Sequence, residues 1–145
     1  LKNTFELKRE LEEYLKKTVP EEVLNLSALL GPILAARLLA IAGALEKLAK
    51  MPSSTIQLLG AEKSLFKYLR GKEKMKGPPR FGVLFVHPAI QTAPRELQGK
   101  IARLLSAKLT IAARADFYTK ENRSKELKED FDKKLKEILS SKHNN

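Results

Sequence analysis

Apolar residues recur at helical spacing along most of this chain of 145 residues. Charged residues of both signs fill the remaining positions, so the pattern predicts amphipathic helices. The four longest predicted helices share this pattern and cover residues 1–17, 32–50, 94–118 and 124–140. The pattern therefore predicts an all-α protein with a compact helical core.

Proline and glycine mark the predicted ends of these helices. Pro20 is expected to break the first helix, because proline lacks an amide proton and clashes with the preceding turn. Two shorter helices are expected, one in front of Gly31 and one after Ser53. The segment 81–88, "FGVLFVHP", is rich in β-branched and aromatic residues, and this composition predicts a short extended stretch.

The composition argues against several classes of protein. The chain is 43% hydrophobic, which is enough for one core, and 31% charged. It has no apolar run of about 18 residues, so no membrane span is expected. The absence of cysteine excludes disulfides, thiol catalysis and Cys-based zinc sites, and together with the lack of a secretory signal it predicts an intracellular protein. The chain begins at Leu1 inside a charged amphipathic pattern, so we expect a domain cut from a longer protein.

The net charge of +11 is concentrated in two blocks. Residues 60–80 hold seven Lys or Arg against two Glu, and residues 95–125 hold eight Lys or Arg against three acidic residues. The two ends of the chain are nearly balanced. A charge that is concentrated in this way favours an anionic partner such as a nucleic acid.

Helical geometry places three cations of the helix 94–118 on one stripe. At about 100° per residue, Lys100, Arg103 and Arg114 share a narrow face that contains no acidic residue. The alternative interpretation is an ordinary solvated face. Lys108 falls instead among the apolar residues, where a structural role is favoured, either with its ammonium reaching water or in a pair with a carboxylate of another helix.

The tetrapeptide Gly60-Ala61-Glu62-Lys63 begins a predicted helix that ends at Gly71. Free amide groups and the positive end of the helix dipole would suit a phosphate, and Lys67 adds charge one turn later. The same tetrapeptide is also a well-formed helix start, and both interpretations stay open. Phe66 or its neighbour Tyr68 is expected to face outwards, where it could stack on a base.

Catalysis has few candidate groups. The chain has two histidines, His143 lies in the predicted disordered tail, and no glycine-rich phosphate loop is present. We therefore predict a protein that is not an enzyme and needs no metal or cofactor. His87 is either a hydrogen-bonded structural residue or a contact to RNA, by stacking or through a phosphate.

Three segments of the chain resemble one known family. The segments "MPSSTIQLLGAEKSLFKYLR", "FGVLFVHPAI" and "GKIARLLSAKLTIAARADF" occur in this order and are similar to the Nop domain of archaeal box C/D ribonucleoprotein scaffold proteins. The resemblance implies an all-α core over residues 29–123. Residues 1–28 resemble the end of the family's coiled coil with its connection, and residues 124–145 resemble a C-terminal helix with a disordered tail.

The resemblance also implies a function. Nop domains recognise a kink-turn guide RNA together with the small ribosomal-protein-like protein bound to it. The scaffold is not catalytic, and it positions the methyltransferase fibrillarin for RNA 2′-O-methylation. Fibrillarin would bind an N-terminal domain that is absent here, and self-association would use the truncated coiled coil. The expected location is cytoplasmic in archaea and nucleolar in eukaryotic relatives.

The expected site residues follow from the resemblance and the charge pattern together. The residues expected at the RNA are Gly60, Ala61, Glu62, Lys63, Phe66, Lys67, Arg70, His87, Lys100, Arg103 and Arg114. The apolar residues expected at the partner protein are Val86, Pro88 and Ile90. One departure from the family is Gln98, where an arginine is usual. The alternative function is a protein-interaction scaffold whose basic surface binds an acidic protein, with RNA binding incidental.

Overall fold

The computed structural model describes residues 4–61 and 82–141, and every regular element in these two ranges is helical. The α-helices are α1 (Thr4–Glu22), α2 (Leu24–Leu30), α3 (Pro32–Ala42), α4 (Leu45–Lys50), α5 (Ser53–Leu58), α6 (Pro88–Gln91), α7 (Arg95–Arg114) and α8 (Ser124–Ser141). A 3₁₀ turn (Val83–Val86) precedes α6, and a π-helical turn (Ala115–Thr119) continues α7. The prediction of an all-α fold is confirmed.

Helix α7 is the central element of the described structure. It packs most extensively against α5 and α8, and it also contacts α2 and α4. Among its apolar residues, Ile111 is exposed. Its large apolar side chains that are fully buried are Ile101, Leu105 and Leu109. Each contributes about 1.5–3 kcal/mol by leaving water, so α7 organises the core.

Pro20 does not break the first helix, contrary to the prediction. Helix α1 continues through Pro20 to Glu22. The amide of Val23 still donates to the carbonyl oxygen of Val19 at 2.9 Å, so the chain stays helical beyond the proline. Val19 and Val23 are both buried, and this packing offsets the cost of one proline in the last turn.

The predicted helix 32–50 is two helices. Gly43 adopts φ +95°, a left-handed conformation that ends α3, and its amide donates to the carbonyl oxygen of Leu39 at 2.9 Å. The turn redirects the chain so that Leu48 of α4 is fully buried. The helix end is therefore set by the glycine, although the apolar pattern runs through it.

Helices α2 and α3 meet at a sharp bend at Gly31, which has φ +81°. Among the described residues, no single helix is long and apolar enough to cross a membrane. Within residues 4–61 and 82–141, one pair of helices, α2 and α3, is together long and apolar enough to cross a membrane, but the pair is bent by 116° and meets the criterion by length and composition alone.

The segment that was predicted to be extended is helical, so that prediction is wrong. Val83–Val86 forms a 3₁₀ turn, and α6 begins at Pro88. The amide of Val83 donates to the carbonyl oxygen of Leu59 at 2.7 Å, and Val83 and Leu84 are buried. No strand lies beside this segment in residues 4–61 and 82–141. Burial against the helices thus overrides the β preference of its side chains.

A buried polar cluster joins α2 to the end of α7. The carboxylate of Asp116, in the π-helical turn, accepts hydrogen bonds from the amides of Asn25 and Leu26, both at 3.0 Å, and from Asn25 Nδ2 at 2.9 Å. Asn25 Nδ2 also donates to the carbonyl oxygen of Glu121 at 2.7 Å, and Asn25 Oδ1 accepts from the amide of Arg123 at 2.7 Å. Asp116 and Asn25 therefore fix α2, the end of α7 and the connection to α8 relative to one another.

Candidate nucleic-acid interface

Three exposed cations form a strip along α7. We call Lys100, Arg103 and Arg114 the cationic strip; all three side chains are exposed, as the helical geometry predicted. Ala107 and Ile111 occupy the exposed positions between Arg103 and Arg114. At about 1.5 Å per residue the strip is about 21 Å long. It therefore presents positive charge with no acidic side chain within its length.

Arg114 is held in place by the end of α4. Its Nε donates to the carbonyl oxygen of Ala49 at 3.3 Å. A guanidinium has five N–H donors, and one of them is used in this bond. The others are not engaged by any residue in the described part of the chain. Arg114 is therefore partly preorganised, which lowers the entropy cost of holding a ligand.

Lys108 belongs to an ion-pair network, so of the two structural roles that the sequence left open, the structure shows the pair with another helix. Its side chain is only 11% exposed, and its ammonium donates to the carboxylate of Asp130 on α8. Lys134 donates to the same carboxylate at 3.2 Å. These hydrogen bonds, first from Lys108 and then from Lys134, hold the pKa of Asp130 below its usual value. Lys108 thus joins α7 to α8 and is not part of the exposed strip.

His87 has both ring nitrogens engaged within the chain. Nδ1 accepts from the amide of Ala89 at 3.1 Å, so Nε2 carries the proton and donates to the carbonyl oxygen of Leu29 at 3.0 Å. The ring also meets Phe131 edge to face, with centroids 6.0 Å apart. This geometry matches the structural interpretation of His87. No group of three or more His, Asp or Glu in the described residues could hold a metal ion.

Replacing His87 with alanine is expected to lower the free energy of unfolding by about 2 kcal/mol, because the carbonyl of Leu29 would lose its donor. RNA affinity, measured well below the unfolding temperature, is expected to change little. Urea unfolding and an RNA titration of the same variant check both parts, with His143→Ala as the control. A loss of RNA affinity without a loss of stability would instead place His87 at the RNA.

Gln98 is used inside the fold. Its Nε2 donates to the carbonyl oxygens of Ile90 at 3.1 Å and Ala93 at 3.4 Å. These bonds hold the end of α6 against the first half of α7. The Nε2 donor of Gln98 is therefore engaged inside the fold and is not directed at solvent.

The three predicted partner contacts separate in the structure. Val86 is 40% exposed and Pro88 is also exposed, whereas Ile90 is completely buried. In an extended chain these alternate residues would share one face. Because α6 is helical, Ile90 turns towards the core. Ile90 is therefore a core residue, and its assignment as a partner contact is wrong.

The first basic block lies mostly outside the described residues. Gly60 has φ +89°, and a Cβ built there would lie 3.3 Å from the amide nitrogen of Val83. Glycine suits this position because it alone adopts this conformation without strain. Ala61 is helical and half-buried. The predicted RNA contacts outside the described ranges are Glu62, Lys63, Phe66, Lys67 and Arg70.

Two exposed side chains near the cationic strip were missed by the sequence reasoning. Tyr118 follows Arg114 by four residues, in the π-helical turn, and Lys50 ends α4 next to Ala49. Extending the helical stripe by one turn would have found Tyr118. Lys50 comes close only through the packing of α4 on α7, so no local pattern identifies it.

Comparison with known proteins agrees with this architecture. The profile of the Nop family, described as "snoRNA binding domain, fibrillarin", matches residues 1–143. This chain belongs to the Nop family. A crystal structure of a fibrillarin/Nop5p complex contains a similar chain, with a TM-score of 0.72 and 34% identity, covering 92% of this chain and 48% of that one. The resemblance seen in the three sequence motifs is thereby confirmed.

Curated relatives come from archaea and eukaryotes. An uncharacterized NOP5 family protein of Methanocaldococcus jannaschii is 50% identical over 139 residues, 95% of this chain and 32% of that protein. Nucleolar protein 58 of Yarrowia lipolytica is 40% identical over 116 residues, 80% of this chain and 22% of that protein. Nucleolar protein 56 of Caenorhabditis elegans is 40% identical over 115 residues, which are 79% of this chain and 23% of that protein. This chain thus spans a third or less of each relative. Their names fit the nucleolar location expected for eukaryotic members, and a cytoplasmic location for this chain stays a prediction.

Proposed function

We propose that this chain is the RNA-protein binding module of a box C/D ribonucleoprotein scaffold. It recognises a kink-turn guide RNA together with the small ribosomal-protein-like protein that binds the kink-turn. The description of the Nop family names snoRNA binding. The observation that carries the proposal is the cationic strip. Three cations spread over about 21 Å without an intervening acid suit a line of phosphates.

The partner protein is proposed to contact the exposed residues at the start of α6. Val86 and Pro88 expose apolar side chains just before and at the start of α6. The bonds from Gln98 hold α6 against the first half of α7, the helix that carries the cationic strip. Apolar residues and a row of cations on two elements in fixed contact would let one module meet protein and RNA together.

The chemistry is proposed to reside in another subunit. A fibrillarin methyltransferase would dock on a part of the scaffold outside this chain, and the module would hold the RNA so that a ribose 2′-hydroxyl reaches it. The contacts proposed for Glu62, Lys63, Phe66, Lys67 and Arg70 belong to this same function. Self-association through a coiled coil is proposed for the longer protein.

The deciding experiment is a titration of this chain into a labelled kink-turn RNA at two salt concentrations, with and without the kink-turn-binding protein. We expect tight, salt-sensitive binding only when that protein is present. Equal affinity for naked RNA and for the complex would contradict a composite surface. Binding to the protein alone, with no dependence on RNA, would favour the alternative protein-interaction scaffold.

Neutralising the cationic strip is expected to lower the salt dependence of RNA binding. The triple variant Lys100→Gln, Arg103→Gln, Arg114→Gln should reduce the slope of log affinity against log salt by about two to three units, since each lost phosphate contact removes about one. A control with the same charge change is Lys125→Gln, Lys128→Gln, Lys136→Gln on exposed positions of α8. If both triples reduce the slope equally, the strip is a generic polyanion surface and not the RNA site.

A further inference from the structure

The end of α7 carries an exposed aromatic ring. Tyr118 is 57% exposed, although it lies in a helical turn that continues a largely buried helix. Its ring meets the ring of Phe117 edge to face, with centroids 4.8 Å apart and planes at 75°. Phe117 is half-buried, so it supports the Tyr118 ring from the protein side. The ring of Tyr118 is thus held in place while much of it faces solvent.

Two cations lie beside this ring. Arg114 precedes Tyr118 by four residues, and such residues are neighbours on a helical surface. The bond from Arg114 to Ala49 brings the end of α4 to the same place, and Lys50 is the next residue. The hydrogen bond with Glu46 and the charge of Glu46 raise the pKa of Lys50, and the ionised form of Tyr118 acts in the same direction, which places Lys50 within electrostatic reach of the phenol. The ring is therefore flanked by positive charge.

One acidic group near this ring, the carboxylate of Glu46, pairs with Lys50 at 2.9 Å. A phosphate would therefore compete with Glu46 for the ammonium of Lys50. Ile111, one turn before Arg114, adds exposed apolar surface. A supported aromatic ring with cations on its flanks matches what single-stranded nucleic acid requires, which is a surface for base stacking and charges for the adjoining phosphates.

We propose that Tyr118 is a stacking platform for an unpaired RNA base, with Arg114 and Lys50 contacting the phosphates on either side of that base. The inference rests on the proposed RNA-binding function and extends it. The cationic strip holds a paired or folded part of the RNA, and at its C-terminal end the RNA continues as a single strand. The platform would therefore favour RNAs with an unpaired extension at this end.

The first test compares two RNAs and three proteins. The RNAs are a blunt kink-turn hairpin and the same hairpin with four unpaired nucleotides added at each of its two ends, both with the kink-turn-binding protein bound. We expect the extensions to tighten binding of the unchanged chain about five- to tenfold. Tyr118→Ala should abolish this gain, and Tyr118→Phe, which keeps the ring, should retain it. A gain that survives in Tyr118→Ala would overturn the proposal.

The second test detects stacking of an RNA base on residue 118 by fluorescence. The chain contains no tryptophan, so Tyr118→Trp introduces a single fluorophore at the platform. Stacking on a base is expected to quench its emission when the extended RNA is added, and the blunt RNA should quench it less. Tyr14→Trp is the matched control, because Tyr14 is also exposed, at 63%, but lies on α1. Equal quenching at both positions would overturn the proposal.

The results of these RNA titrations distinguish a failure of the stacking platform from a failure of the proposed RNA-binding function on which it rests. If the unchanged chain binds neither RNA, the proposed function and the platform both fail. If it binds both RNAs equally and the strip triple variant weakens both, the function holds and the platform alone fails. Binding of the extended RNA that depends on the ring of Tyr118 supports both.

Discussion

Replacing Asp116 with alanine is expected to lower the free energy of unfolding by about 3–5 kcal/mol. Three buried donors would lose their acceptor: the amides of Asn25 and Leu26 and the side-chain amide of Asn25. Each unsatisfied buried donor costs about 1–3 kcal/mol, and the losses are not fully additive because all three share one carboxylate. Urea unfolding at neutral pH, followed by circular dichroism, measures the loss.

Two further variants show whether the hydrogen bonds carry this effect. Asp116→Asn keeps the shape and one acceptor oxygen but turns an NH₂ group towards a donor, so an intermediate loss is expected. Asp132→Ala removes an exposed carboxylate from α8 and should change stability by less than about 0.5 kcal/mol. Equal stability of Asp116→Ala and Asp132→Ala would show that the cluster does not hold α2.

The same carboxylate predicts a pH dependence. Burial raises the pKa of Asp116 above its usual 3.8, and the hydrogen bonds from Asn25 and Leu26 oppose that rise without cancelling it. The folded state then keeps the proton to a higher pH than the unfolded state does. Its contribution to stability is complete below pH 3.8 and is lost as pH rises through the raised pKa. The stability of the unchanged chain relative to Asp116→Asn should therefore decrease from pH 4 upwards. An increase over this range would mean that the hydrogen bonds outweigh burial.

The sequence predicted those elements whose signal is local and long. Helices α7 and α8, of 20 and 18 residues, carry several turns of apolar residues on one face, so their position and their buried sides were predictable. The cationic strip followed from the same geometry. A structural role for Lys108 was predicted in the same way, but the sequence did not distinguish a pair with another helix from an ammonium that reaches water.

Short segments were predicted less well because tertiary packing decides their conformation. The run at residues 83–86 has no clear periodicity, and its β-branched residues favoured a strand. Its hydrogen bond to Leu59 and the burial of Val83 produce a 3₁₀ turn instead. Ile90 was expected at the partner protein together with Val86 and Pro88, and only the packing of α6 shows that its side chain is buried.

Long-range polar contacts leave no local pattern. Asn25 and Asp116 are 91 residues apart in sequence and meet in a buried cluster. An asparagine near the start of a short helix is commonly its N-cap. Instead, Asn25 lies within α2, and the acceptor for the helix amides comes from the far end of α7. Composition and spacing do not distinguish the two arrangements.

Replacing Gly82 with alanine is expected to lower the free energy of unfolding by about 3 kcal/mol. A Cβ at this position would overlap the carbonyl oxygen of Leu59 and would lie 2.9 Å from the carbonyl carbon of Leu58. These are backbone atoms, so no side chain can rotate away, and the 3₁₀ turn would have to move off the end of α5. The displacement would also break the hydrogen bond from Val83 to Leu59. Insertion of one methyl group into a packed site costs about 1–3 kcal/mol, and a rigid neighbour places this site at the upper end.

Gly99 provides a control, because replacing it with alanine is expected to raise the free energy of unfolding instead of lowering it. It lies inside α7, and a Cβ built there meets no atom within 4 Å. Gly99→Ala should stabilise the chain by about 0.5–1 kcal/mol, because alanine loses less backbone entropy in a helix than glycine does. Thermal and urea unfolding of the two variants side by side measure the contrast. If Gly82→Ala were as stable as Gly99→Ala, the turn at residues 83–86 would not pack against the end of α5. Val86 and Pro88 would then lose the support that fixes their position relative to α7, and the composite RNA-protein surface would lose its structural basis.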